Sequence, residues 1–240
     1  MNPSGNTVLI TGGAGGIGLA LARRFHREGN AVILTGRDRA RLERAAAELP
    51  GAIAEQADMR DEAALARLAG AYPEVNVLVN NAAIQHIYQW ADPASPAALI
   101  DEELAVNLRG PLLLTKHFLP GLLARPQAAI INVSSGLGLA PKQSAPVYCA
   151  TKAALHAFSK ALRWQLEPAG VKVFEIIPPL VDTPMTAGRG KDKLAPDQLA
   201  DQFWRGFVRD EYELPIGKTR LLMTVQRLAP GLADRIMRRS

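Results

Sequence analysis

Tyr148 and Lys152 stand four residues apart in the stretch YCATKAALHAF, Tyr148 to Phe158. Four residues is about one helical turn, so a helix here puts a phenol and an ammonium on one face. A phenol can give a proton to an oxygen or take one back, but its ordinary pKa is about 10. Proton transfer works best when that value approaches the working pH. A neighbouring cation favours the phenolate. Lowering the phenol by about two to three units takes roughly 3–4 kcal/mol of preferential interaction with the charged form, and one ammonium at partly shielded contact distance can supply much of that. The same spacing also occurs on helix faces that only meet water, so the rest of the chain must decide. Cys149 points about 100° away from Tyr148 on such a helix and reads as a small buried residue. His26, His117 and His156 lack metal-ligand spacing and read as structural; no metal site is expected.

A second group of residues is suited to phosphate. TGGAGGIG, Thr11 to Gly18, follows the β-branched and aliphatic run TVLIT and precedes a helical pattern. A glycine turn between a strand and a helix lets backbone approach a pyrophosphate, and the helix offers unpaired N–H groups and a positive dipole end. Two registers fit: Gly13, Gly15 and Gly18 as G-x-G-x-x-G, or Gly12, Gly16 and Gly18 as G-x-x-x-G-x-G. The end of the second strand should meet the adenosine ribose, where a carboxylate suits NAD and an arginine suits the 2′-phosphate of NADP. Gly36 has no carboxylate, and Arg37 offers a guanidinium that can fork onto a phosphate. Asp38 lies 20 residues after Gly18, near the spacing of an NAD-type carboxylate, but it also stands where it would N-cap the next helix. NADP(H) is the expected cofactor, with NAD(H) as the alternative.

The elements that must hold these groups alternate along the chain. Strands are expected over 7–11, 31–35, 52–58, 75–83, 128–135, 171–179 and, more weakly, 212–216. Helices are expected after Gly16 up to Gly29, from near Asp38 to before Pro50, over 61–71 and over 147–167. Residues 97–125 read as mostly helical, with a break or kink near Gly110-Pro111. Nearly continuous apolar strands alternating with helices predict an α/β fold, a doubly wound parallel sheet covered on both faces. No composition break divides the 240 residues, so a single domain over 1–240 is expected. The glycine- and proline-rich 179–196 is long and irregular enough to be a lid.

Composition removes other classes. Apolar residues make up 48% and charged residues 21%, ordinary for a globular chain with a full core. No apolar run approaches the ~20 residues of a membrane span. The polar N-terminus predicts no signal peptide, and the lone cysteine fits cytoplasmic residence. The net charge is +5, but acidic residues interleave with basic ones, so no nucleic-acid face is expected.

Taken together, the motifs resemble the short-chain dehydrogenase/reductase family over about Thr7 to Thr183. They are TGGAGGIG, NNAA (Asn80 to Ala83), Asn107 in VNLRGP, NVSSG (Asn132 to Gly136), YCATK (Tyr148 to Lys152) and PPLVDTP (Pro178 to Pro184), in that order. IPPLVDTPM and the C-terminal YELPIGKTRLL are similar to a sub-branch associated with D-alanine transfer to teichoic acid. The resemblance implies a seven-stranded Rossmann domain and selects Gly12, Gly16, Ile17 and Gly18 for the pyrophosphate. It places the cofactor-selecting carboxylate at Gly36, again implying NADP. It implies adenine contacts from Asp58 and Met59, cofactor contacts from Asn80 and Ala82, and a carboxamide cover from Pro178, Pro179, Val181 and Thr183. It also implies a catalytic serine 13 residues before the tyrosine, Ser135, with Ser134 as its neighbour. Lys152 would bond the nicotinamide ribose, and Asn107 would anchor a proton-relay water or, alternatively, satisfy a kinked helix. Two departures are Ala83 and Pro179, where the family usually has glycine. The helix after Tyr148 implies a homodimer or homotetramer.

The chemistry this predicts is hydride transfer between a nicotinamide and a small carbonyl or secondary alcohol. Tyr148 would act as acid and base, and Ser135, Lys152 and Asn107 would support it. A non-catalytic NADP(H)-binding sensor is the alternative; a methyltransferase would have no need of this Ser, Tyr and Lys. His86, Tyr88 and Trp90 are candidates for a substrate pocket, or for packing between loops.

Overall fold

A computed structural model describes residues 1–87, 89–91 and 97–238. Seven strands form one sheet: β1 (Thr7–Thr11), β2 (Ala31–Gly36), β3 (Ile53–Gln56), β4 (Val77–Asn80), β5 (Ala128–Val133), β6 (Val171–Ile177) and β7 (Glu213–Pro215). Their order is β3-β2-β1-β4-β5-β6-β7, and every pairing is parallel. The order reverses between β1 and β4, where a doubly wound sheet opens a crevice at its carboxyl edge.

Side chains alternate between the two faces of a strand, so each strand feeds two cores. Val8 and Ile10, with Val32, Leu34, Phe174 and Ile176, face α1 (Gly16–Arg27), α2 (Arg39–Ala47) and α7 (Pro196–Phe207). There Phe25 meets Trp204 and Phe207 edge to face, at 5.2 and 5.5 Å between centroids. Leu9, Ile33, Leu78, Ile130 and Val173 turn the other way, toward α3 (Glu62–Ala71), α5 (Gly110–Leu123) and α6 (Pro146–Leu166). Two further helices, α8 (Thr219–Leu228) and α9 (Pro230–Arg238), follow β7.

Observed strands are shorter than the apolar runs that mark them, because the last residues of NVSS and IIPP leave the ladder to form loops at the carboxyl edge. The expected break near Gly110-Pro111 falls one turn earlier. α4 (Ala98–Leu104) passes through a π-helical turn at Ala105–Arg109 into α5, and Gly110 itself is helical. There the Gly110 N–H reaches back five residues to the Ala105 carbonyl. Pro111 has no N–H to offer the carbonyl of Asn107 four residues earlier, so the ladder widens around Asn107.

Candidate active site

At the reversal point a cleft of about 360 Å³ runs from the glycine turn to Tyr148 and Lys152. Gly12 and Gly16 have φ of +66° and +55°, whereas Gly13 and Gly15 do not lie in the left-handed region. The register is therefore the one built on Gly12, Gly16 and Gly18. A Cβ at Gly18 would stand 2.3 Å from the Gly12 carbonyl oxygen, so α1 packs directly on the turn. The first turn of α1 carries no acidic side chain and its N-cap, Gly15, supplies no capping bond. Its free N–H groups and positive end thus face the cleft, a cradle that fits a pyrophosphate.

Thr11 and Asn81, which sequence reading passed over, join this turn to the loop after β4. The Thr11 hydroxyl accepts from the N–H groups of Asn81 (2.9 Å) and Ala82 (3.0 Å), and donates to the Val79 carbonyl. The Asn81 amide donates to the Thr11 carbonyl at 2.8 Å. The only signal for them is a threonine before the glycines and a second asparagine in NNAA.

Arg37 and Arg41 line the far end of the cleft. Arg37 is half exposed and lies 3.5 Å from Glu102. Arg41 also went unread; its guanidinium lies 3.2 Å from where a Gly15 Cβ would stand, and it forms no ion pair among the described residues. Asp38 caps α2 by accepting from the Arg41 N–H at 3.0 Å. Met59 lines the cleft, while Asp58 turns to Arg60, which donates to both its oxygens and holds its carboxyl below the usual range.

At the near end, Tyr148 and Lys152 are both buried on α6. The Lys152 ammonium donates to the Val133 carbonyl at 2.8 Å and stands 5.7 Å from the centre of the Tyr148 ring. Burial lowers its pKa to about 8, against an upward pull from Glu175. Burial likewise pushes the Tyr148 phenol up to about 12; hydrogen bonding to Ser135 and the charge of Arg189 pull it down, and Cys149 and Glu103 push it up. The sequence leads one to expect the opposite direction, with Lys152 lowering the phenol. Here the ammonium lies over the ring and bonds to a carbonyl, so desolvation outweighs it, and the phenol keeps its proton at neutral pH.

Ser135 accepts from the Leu137 N–H at 3.1 Å and interacts with Tyr148; Ser134 lines the cleft, but its hydroxyl is bonded to the Ile176 carbonyl. Asn107 is fully buried behind the cleft. Its amide closes on the backbone of Ile84, accepting from the N–H and donating to the carbonyl, both at 2.8 Å. Gly12, Gly16, Ile17, Ala82, Pro178 and Thr183 line the cleft. Gly18, Asn80 and Val181 lie behind it: Asn80 bonds to Thr115 and Asn132, and Val181 is in the core beside Leu194.

From 179–196, Thr183, Pro184 and Met185 line the cleft. The Thr183 γ-methyl lies 3.1 Å from the Cβ position of Gly16, and Arg189 donates to Gln85 at 2.6 Å. His86 faces Glu102 at 3.1 Å and Trp90 is exposed; Tyr88 lies outside the described residues. Among the described residues no cluster could hold a metal, and no helix is long and apolar enough to cross a membrane.

The profile of the short chain dehydrogenase family matches residues 6–194. The chain belongs to that family. Among its relatives, the uncharacterized oxidoreductase DltE of Bacillus subtilis is 42% identical over 217 residues, covering 88% of this chain and 83% of the relative. Serine 3-dehydrogenase of Agrobacterium fabrum is 40% identical over 201 residues, covering 80% and 79%. A short-chain dehydrogenase from Sphingobium yanoikuyae, solved in complex with NADPH, superposes with a TM-score of 0.82 at 29% identity and covers 95% of this chain and 94% of its own. The chain is thus a short-chain dehydrogenase/reductase-type oxidoreductase with the family's fold.

Proposed function

We propose that this protein reduces a small carbonyl compound, or oxidises the corresponding secondary alcohol, with NADP(H). The observation that carries the proposal is one continuous cleft, with a phosphate cradle and two arginines at one end and buried Tyr148, hydrogen-bonded to Ser135, with Lys152 at the other. NADPH supplies a hydride when bound. The turn from Gly12 to Gly18, including Ile17, holds its pyrophosphate, and Arg37 and Arg41 hold its 2′-phosphate. Met59, Ala82, Pro178 and Thr183 position the remainder; Asp58, Asn80 and Val181 support those walls from behind. Ser135 holds the substrate oxygen. Tyr148, protonated at neutral pH, donates from its hydroxyl to that oxygen. Lys152 favours the phenolate left behind, and Asn107, whose carbonyl receives no bond from Pro111, anchors the water that returns the proton.

Serine 3-dehydrogenase is named for a substrate bearing a carboxylate. Arg189 is a cation whose field reaches Tyr148, and it forms no ion pair among the described residues. Both support a 3-hydroxy acid or its oxo form as substrate, with 179–196 closing as a lid. Exposed Trp164 and Leu123 on α6 and α5 support a homodimer or homotetramer.

A second reading is a sensor of the same fold that binds NADP(H) without turnover. A panel of oxo acids and neutral carbonyls with NADPH and NADH, run on wild type and Tyr148→Phe, separates the two. Turnover in the wild type that falls by about 10²–10⁴-fold in Tyr148→Phe, with NADPH binding retained, supports the enzyme. Binding without turnover supports the sensor. An unchanged NADPH/NADH ratio in the Arg37→Ala, Arg41→Ala double variant sinks the 2′-phosphate assignment.

A further inference from the structure

Toward the carboxyl ends of β4, β5 and β6, and at the first residue of β7, apolar side chains on the face covered by α5 and α6 give way to a polar row. The register aligns Asn80 with Asn132, Asn132 with Glu175, and Glu175 with Glu213. Two residues earlier on the same face, Leu78, Ile130 and Val173 are fully buried. Each polar member has a partner. Asn80 donates to Asn132 at 2.8 Å, Asn132 donates to Ser159 at 2.8 Å, and Glu213 pairs with Arg163 at 3.2 Å.

Glu175 is the member that packing does not explain. Its side chain has no exposure, and a carboxylate taken fully out of water costs several kcal/mol unless it is paired. Its partner is neither lysine nor arginine but His156, whose Nδ1 lies 2.9 and 3.0 Å from the two carboxylate oxygens. His156 is one turn beyond Lys152 on α6. The Lys152 ammonium bonds to the carbonyl of Val133, whose register partner is Ile176, next to Glu175. Glu175 is the charged group that acts on Lys152. The groups facing this pair are Lys152, His156, Lys160 and Arg163 from α6, neutral Asn132 from β5, and Glu213 from β7; Lys160 and Glu213 also act on His156.

We infer that Glu175 is a positioning residue for the proposed reduction: its carboxylate, clamped by His156, keeps Lys152 cationic in a site too dry to hold a lone ammonium. The inference rests on the reading of Tyr148 and Lys152 as the proton-transfer pair. A neutral lysine there would no longer favour the phenolate, so reduction should fail as Lys152 loses its proton. His156 is then a fitting for the site and not only a core histidine.

The test is the pH dependence of kcat for NADPH-dependent carbonyl reduction by the full chain, between pH 6 and 9.5. The wild type should lose activity along a limb near pH 8. Glu175→Gln should move that limb about one unit lower, leaving kcat at pH 8 about fivefold lower with KM little changed. His156→Lys, at a position with a quarter of its side chain exposed, sets a permanent cation on the carboxylate and should move the limb the same way. His156→Gln keeps the carboxylate and should leave the limb in place or move it upward. A limb unmoved in both Glu175→Gln and His156→Lys overturns the inference. So does a downward move in His156→Gln as large as in the other two, since that reports a loosened helix. No carbonyl reduction by the wild type overturns the functional reading itself, and the inference with it.

Discussion

Replacing Lys152 by methionine keeps most of the side chain's bulk and removes its charge. Lys152 is 2% exposed, and burial brings its pKa from 10.5 to about 8. That gap corresponds to about 3 kcal/mol against the folded state while the lysine is charged in both states. The folded value is the lower one, so below pH 8 the whole penalty stands. Between pH 8 and 10.5 the unfolded chain holds more protons than the folded one, and stability rises with pH. Methionine has no such dependence. The stability of Lys152→Met relative to wild type should therefore be highest below pH 8 and shrink by about 2 kcal/mol by pH 9.5. In Tm that is a narrowing of about 4–8 °C for a chain of this size. The Val133 carbonyl also loses its donor, at about 1–3 kcal/mol, but that loss does not change with pH. The slope of the difference, and not its sign at one pH, is the readout. Urea unfolding of both proteins, followed by tryptophan fluorescence from pH 7 to 9.5, measures it. A difference that stays constant over that range refutes the argument that Lys152 is held against its own desolvation.

Other substitutions probe the rest of the cleft. Gly18→Ala puts a methyl 2.3 Å from the Gly12 carbonyl oxygen; it should destabilise the fold by about 1–3 kcal/mol and weaken NADPH binding, read by melting and by cofactor fluorescence. Asn107→Ala leaves the Ile84 N–H and carbonyl without their side-chain partners and should cost about 2–4 kcal/mol in urea unfolding. Cys149 is buried and its thiol is pushed up by burial, so a thiol reagent at pH 7.5 should modify it slowly in the native protein and rapidly in urea. Arg189→Gln should raise KM for an oxo acid about tenfold or more while sparing a neutral ketone; equal effects on both would remove the carboxylate from the substrate assignment.

What the sequence makes legible here is what repeats locally. TVLIT followed by glycines and an apolar helix marks β1, the turn and α1 with no tertiary knowledge, and the same alternation carried on to Ile216 implies the seven-stranded sheet. Asp38 shows the limit of spacing: its distance from Gly18 suits a cofactor carboxylate, yet its position before α2 makes it a cap, and only coordinates choose. Thr11 and Asn81 lie 70 residues apart, and Glu175 and His156 belong to different elements. No local pattern joins such pairs. The π-helical turn was hidden because proline invites a break at its own position, whereas the ladder gives way where the proline's missing N–H would have bonded. The proton affinity of Tyr148 depends on where the Lys152 ammonium settles, and a spacing of four does not say whether that is beside the hydroxyl or over the ring.

The methyl of Thr183 resting on Gly16 has a kinetic consequence. A dinucleotide lying along the glycine turn meets the 183–186 segment and sets its position, so the wall presented to a second ligand depends on the first. On the proposed function, the nucleotide is then expected to arrive ahead of the smaller molecule and to leave after it. Inhibition by the oxidised nucleotide should accordingly compete with its reduced form and not with the carbonyl compound.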